Sequence, residues 1–155
     1  MLQSLQYQII NRYFPCKYAI NIWYNSENMN CEVCNIVDSI EHYFYHCPDM
    51  LIFWTNLCRW INNVFNCSFK LGCLDVIFGV MDETNDDMLH VLNYCILFAK
   101  QFIYSLKSQL KPCTIESFIC KLKNRITIEK YIAELNGTLE CFIKRWQQID
   151  NLNVK

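Results

Sequence analysis

The sequence predicts a mainly α-helical domain with a small zinc knuckle near the N-terminal third. Three observations carry this. Apolar residues recur every three or four positions over most of the chain, the period of helices that bury one face. Helix start and stop signals, among them Pro48, Thr114 and Asn136-Gly137, fall at the ends of those runs. The run Cys31-x2-Cys34-x7-His42-x4-Cys47 places four metal-ligating residues within 17 positions, directly before Pro48. With 155 residues and 53% hydrophobic content, the chain is long enough for one domain with a sizeable core. The expected division is a knuckle with flanking helices over residues 5–65 and a helical C-terminal part over residues 86–147, within one domain spanning 1–155.

Residues 2–13 carry Leu5 and Ile9 on one face and are expected to form a helix that stops before Pro15. A second short helix is expected over residues 17–24, followed by an Asn- and Glu-rich loop leading to the first cysteine. Pro48 suits the first position of a long helix on which Phe53, Leu57, Trp60, Ile61 and Val64 recur at helical spacing. Trp54 and Trp60 have faces on which bases could stack, but aromatics at this spacing read first as core. Residues 67–80, punctuated by Gly72 and Gly79, predict an extended piece and one or two helical turns. In the acidic loop over 81–87, Asp86 or Asp87 is expected to cap a helix that runs to about Lys107 and stops before Pro112. The apolar stretch 88–106 is interrupted by His90, Asn93, Lys100 and Gln101 and reads as a buried helix rather than a membrane span. Thr114 is expected to cap a helix carrying Phe118, Leu122 and Ile126. After Asn136-Gly137, a last helix carries Leu139, Phe142 and Trp146.

Structural zinc takes four Cys and His ligands in a tetrahedron, and a C-x2-C pair supplies two of them from one tight turn. Cys31 and Cys34 fit that role. Asp38 or Ser39 is positioned to cap a short helix with Glu41 in its first turn, and that helix carries His42. On an unbroken α-helix, residues five apart point roughly 140° away from each other, so His42 and Cys47 would not meet at one ion. Pro48 disfavours helical geometry at Cys47 and frees it to turn back. His46, four residues after His42 on the same helical face, is the alternative fourth ligand. A redox role for Cys31 and Cys34 needs a βαβ setting, which nothing here predicts.

Eleven cysteines, an odd number, and no signal-peptide pattern at the start predict an intracellular protein, nuclear or cytoplasmic, rather than a disulfide framework. Most cysteines outside the motif read as small core residues. The net charge is −1, but it is unevenly spread. Residues 1–99 hold four Lys/Arg against ten Asp/Glu, and residues 100–155 hold ten against five. A basic C-terminal part suits an anionic partner, or equally complements the acidic part within one fold. No Ser, Cys or His sits in a nucleophile motif, so no catalytic residue is assigned and the chain does not read as an enzyme.

The motif with Pro48, Phe53, Trp54 and Leu57 resembles the Cys-Cys-His-Cys zinc-binding region that follows the polymerase in LINE-type, non-LTR retrotransposon reverse transcriptases. Downstream, Leu92-Asn93, Lys100, Ile103-Tyr104 and Lys107, and then Phe118, Leu122, Ile126, Glu129-Lys130, Ile132-Ala133, Asn136, Phe142 and Trp146, are similar to the later helices of that region. Upstream, Asn11-Arg12 and Pro15 resemble its leading helix and turn. The likeness covers residues 5–147. It implies one structural Zn2+ on Cys31, Cys34, His42 and Cys47, and contact with RNA or DNA. Lys121, Lys123, Arg125 and Lys130 are the candidates to meet phosphate. The chain lacks the paired aspartates of a polymerase, so the resemblance implies a detached C-terminal module without catalysis. The competing expectation is a structural or protein-interaction module whose apolar helices pack against a polymerase domain or another protein.

Overall fold

The computed structural model describes residues 2–25, 28–81 and 87–150. They form seven α-helices and one π-helical turn, with a single isolated antiparallel bridge between Asn30 and Val37 as the extended pairing among them. The mainly helical fold and the small cysteine-histidine knuckle are both present.

Helix α1 (Leu2–Ile10) buries Leu5 and Ile9. It ends sooner than its apolar spacing suggests, because Arg12 adopts a left-handed backbone (φ 62°) that takes the chain out of the helix before Pro15. Helix α2 (Lys17–Tyr24) buries only Ala19, and the left-handed Asn25 terminates it by donating its N–H to Asn21 O at 2.7 Å. Helix α3 (Pro48–Phe65) opens on proline, whose missing N–H costs nothing at a helix start, and buries Met50, Phe53, Trp54, Leu57 and Ile61. Helix α4 (Cys73–Phe78) is the short helical piece expected after Gly72.

Helices α5 (Asp87–Lys107), α6 (Ile115–Leu135) and α7 (Leu139–Asp150) complete the body. The expected cap at Asp86 lies outside the described residues, and α5 begins at Asp87. Thr114 caps α6 as anticipated, its hydroxyl accepting the Ser117 N–H at 3.3 Å. No helix of the described residues is long and apolar enough to cross a membrane.

The core centres on Phe118 of α6, whose ring meets Phe53 of α3 at 5.7 Å and Phe102 and Phe98 of α5 at 5.5 and 5.8 Å. Tyr94 of α5 extends the cluster to Trp146 of α7 at 5.1 Å. Trp54 is buried and Trp60 packs partly buried against the core, which accounts for both tryptophans as packing residues. The cysteines outside the motif are less uniform than expected. Cys16 and Cys95 are buried, but Cys120 and Cys141 are exposed, Cys141 at the opening between α6 and α7.

One buried cation stands among these apolar groups. Lys100 is 1% exposed, and its ammonium donates to Ile77 O at 3.2 Å and to the Gln6 side-chain oxygen. Gln6 in turn donates to the same carbonyl at 3.0 Å. The network ties α1 and α4 to α5. Burial with neutral partners disfavours the charged form and lowers the Lys100 pKa to about 8.

Candidate metal centre

The first two ligands come from a tight reversal. Asn30 and Val37 pair across it, Cys31 donates its N–H to Ile36 O at 2.8 Å, and Asn35 donates to Cys31 O at 2.9 Å. Asn35 closes the turn in the left-handed region (φ 58°), which asparagine tolerates better than most residues. The backbone N–H groups of Val33 and Cys34 bond the Cys31 sulfur. Burial opposes ionisation of Cys31, but these N–H groups and the neighbouring thiols of Cys34 and Cys47 outweigh it and lower its pKa.

Ser39 is the cap of the next segment, accepting the His42 N–H on its hydroxyl at 3.1 Å. His42–His46 then winds as a π-helical turn rather than an α-helix, closed by Cys47 N–H donating to His42 O at 3.1 Å. The sequence reading requires the helix to break before Cys47 so that two residues five apart can meet. Cys47 is indeed extended (φ −60°, ψ 135°), as Pro48 demands, but the wider π turn supplies the rest of the realignment.

Pro48 also explains how the turn is held. Its missing N–H leaves Tyr43 O without the donor that a continued π turn provides, and the extended Cys47 takes the following N–H groups away from Phe44 O. Both are satisfied from elsewhere. Lys107 of α5 donates to Tyr43 O at 2.7 Å, and the Trp54 indole N–H of α3 donates to Phe44 O at 2.6 Å.

The ligand atoms of Cys31, Cys34, His42 and Cys47 all lie within 4.8 Å of one another. The Cys31 and Cys47 sulfurs are 3.9 Å apart, and Cys34 Sγ is 3.2 Å from His42 Nε2. Tetrahedral zinc with Zn–S bonds of about 2.3 Å places two sulfurs about 3.8 Å apart, so the four groups fit a zinc-sized tetrahedron. His46 is exposed, packs edge-on against Tyr45 at 5.3 Å and does not join the cluster. Cys47, not His46, completes the cluster of four.

The electrostatics at the cluster pull in both directions. Burial lowers the His42 pKa and holds its ring neutral, the form that ligates metal, although Asp38 opposes the shift. Burial pushes Cys47 up to about 11, and the Lys107 charge and the Asp49 N–H pull the other way. Three thiolates around one divalent ion leave a net charge of −1, and Lys107, close enough to favour the Cys47 thiolate and 4.3 Å above the Tyr43 ring, is placed to balance it. Asp38 is 4% exposed, and its Oδ1 has no hydrogen-bond partner; burial raises its pKa against the influence of Lys107 and the Lys17 N–H. The supporting roles of Lys107 and Trp54 are not readable from motif spacing, because a helix 60 residues downstream provides one of them. The available signal is Pro48, which removes one donor and breaks the helix before a second can form.

The candidate phosphate-binding residues do not form one row. Arg125 is committed to Glu129 at 3.0 Å, and its Nε also reaches the Tyr94 hydroxyl at 3.3 Å. Lys121 sits over the Phe102 ring at 5.3 Å. Lys121 and Arg125 share one side of α6, whereas Lys123 and Lys130 fall on another, since seven residues make two turns. No family model, curated protein or solved structure matches this chain.

Proposed function

We propose that this chain is a non-catalytic zinc-binding module, in which one structural Zn2+ on Cys31, Cys34, His42 and Cys47 fixes the knuckle to the helical body, as in the reverse-transcriptase C-terminal region it resembles. The observation that carries this is the convergence of three sulfurs and one imidazole nitrogen within 4.8 Å of each other. Soft thiolates with imidazole in a compact tetrahedron suit zinc better than oxygen-seeking cations. Four protein ligands fill its coordination and leave no position for water or substrate, which makes the ion structural.

The resemblance carries with it contact with RNA or DNA through Lys121, Lys123, Arg125 and Lys130. A specific observation favours the protein-docking alternative. Arg125 is already paired and Lys121 is turned over a ring, while α2 and α6 expose apolar side chains such as Ile22 at 62% and Leu135 at 68%.

The test is elemental analysis of purified protein beside Cys31→Ser and Cys47→Ser, followed by binding at several salt concentrations. About one zinc per chain, lost in both variants, supports the metal reading, and a metal-free wild type that folds with a protected knuckle rejects it. Single-stranded RNA or DNA binding that falls steeply with salt supports the nucleic-acid version, and its absence leaves protein docking.

A further inference from the structure

The cluster is assembled from two separate pieces of backbone. Cys31 and Cys34 belong to the reversal that Asn35 closes, and His42 and Cys47 belong to the π turn and its end. One ion shared by the four groups therefore ties the reversal to the turn. The π turn keeps anchors of its own, Lys107 on Tyr43 O and Trp54 on Phe44 O.

The four groups also differ in access. Cys47, His42 and Cys31 are 0%, 3% and 8% exposed, whereas Cys34 is only half-buried. An oxidant arriving from solvent meets the Cys34 sulfur first. Metal coordination keeps such a sulfur as thiolate, the form that attacks a peroxide. Beside Cys34 lie the Cys31 thiol on one hand and His42 Nε2, at 3.2 Å, on the other. Cys31 is thus the sulfur placed to resolve an oxidised Cys34, and both belong to one turn. The Cys31 and Cys47 sulfurs are 3.9 Å apart, but a bond between them has to begin at a buried atom.

We propose that this centre is a redox switch, in which a hydroperoxide enters at Cys34, a Cys31–Cys34 disulfide forms and the knuckle gives up its metal. The proposal rests on the zinc reading. The Cys34 thiolate attacks one peroxide oxygen, the O–O bond breaks, and the departing hydroxide takes a proton from solvent, leaving Cys34 as a sulfenic acid. The Cys31 thiolate then attacks the Cys34 sulfur; the S–S bond forms, the S–O bond breaks, and a second hydroxide leaves and is protonated. The two thiolates together lose two electrons, and one hydrogen peroxide becomes two waters. His42 and Cys47 remain on the π turn, short of the four ligands that hold a structural zinc. The reversal is then closed on itself and no longer tied to the turn.

The experiment titrates the whole zinc-bearing chain with hydrogen peroxide. Released zinc is read with a chromogenic chelator, and each cysteine is assigned by differential alkylation and peptide mass spectrometry. Zinc is expected to leave in step with a Cys31–Cys34 disulfide while Cys47 stays a thiol, and a phosphine reductant with added zinc should restore about one ion per chain. Cys120 and Cys141 are exposed and serve as controls. The double variant Cys120→Ser/Cys141→Ser should follow the wild-type dose curve, and Cys34→His, which keeps four ligands, should release zinc about tenfold more slowly. If Cys34→His holds no zinc, the disulfide map of the wild type decides alone. Zinc retained after Cys120 and Cys141 are oxidised overturns the inference, as does release with Cys31 bonded to Cys47, or release that the reductant does not reverse. Metal content before any peroxide separates the two readings. Zinc absent at the outset defeats the proposed function and this inference with it, whereas zinc that is present but indifferent to peroxide defeats the switch alone.

Discussion

Residues 16–47 and the body formed by α3, α5, α6 and α7 bury different kinds of side chain. Apart from Ile40 and Phe44, the buried groups among the described residues of the first region are Cys16, Ala19, Asp38 and the candidate ligands Cys31, His42 and Cys47. The body buries Phe53, Phe102, Phe118, Trp54 and Trp146, and its helices contact one another directly. Fixing each backbone residue costs about 1–2 kcal/mol, and a segment that buries mostly thiols and small groups gains too little apolar contact to meet that cost. The body therefore holds itself by its core. The knuckle takes two donors from the body, Lys107 and Trp54, and on the proposed reading it depends on its metal for the rest.

Changes confined to one region should separate these two sources of order. The largest effect is expected from Phe118→Ala, which removes a ring that contacts three others. Unfolding free energy from denaturant titration should fall by about 3–5 kcal/mol, equally with and without a chelator. A drop seen only in the chelated protein would place the core in the knuckle instead.

Next is Lys100→Met, which tests the buried cation. Because the folded pKa, about 8, lies below the ordinary 10.5, the unfolded chain keeps this proton longer as pH rises. Stability from this group therefore increases between pH 8 and 10.5, and the penalty is complete below 8. Relative to Lys100→Met, the wild type should gain on the order of 3 kcal/mol between pH 7 and 11 in paired denaturant titrations. Parallel pH profiles would mean that burial does not lower the Lys100 pKa.

Trp54→Phe keeps an aromatic ring in the core but leaves a small void and deprives Phe44 O of its donor, the lost bond alone costing about 1–3 kcal/mol. Its effect should concentrate in the knuckle. Competition with a zinc-selective dye should show faster metal loss than in the wild type, and unaltered metal retention would mean that the π turn stands without this bond. The smallest effect belongs to Thr114→Ala, which removes the α6 cap for about 1 kcal/mol of global stability. Metal content should not change, since the cap lies on the body.

Much of this division is legible in the chain itself. Helical spacing and capping signals locate α3, α5, α6 and α7, because each buries one regular face or starts at Pro48 or Thr114. Cys31, Cys34, His42 and Cys47 are legible because zinc chemistry restricts ligand types and their spacing. The π turn is not, because its winding follows from a later proline and from Lys107 and Trp54, residues that reach it only through tertiary packing. The early end of α1 depends on the backbone at Arg12, a residue type with no preference for the left-handed region. The basic residues of α6 look like one cluster in sequence, but helical geometry divides them and Glu129 engages Arg125.

The most direct measurement is residue-level amide hydrogen exchange on protein as purified and after chelation, with metal content measured on the same samples. The account predicts about one metal ion per chain. On its removal, protection should collapse over residues 28–47 and in α2, while the central turns of α3, α5 and α6 remain protected. A protein that carries no metal yet protects residues 28–47, or one whose body loses protection together with the knuckle, would contradict it.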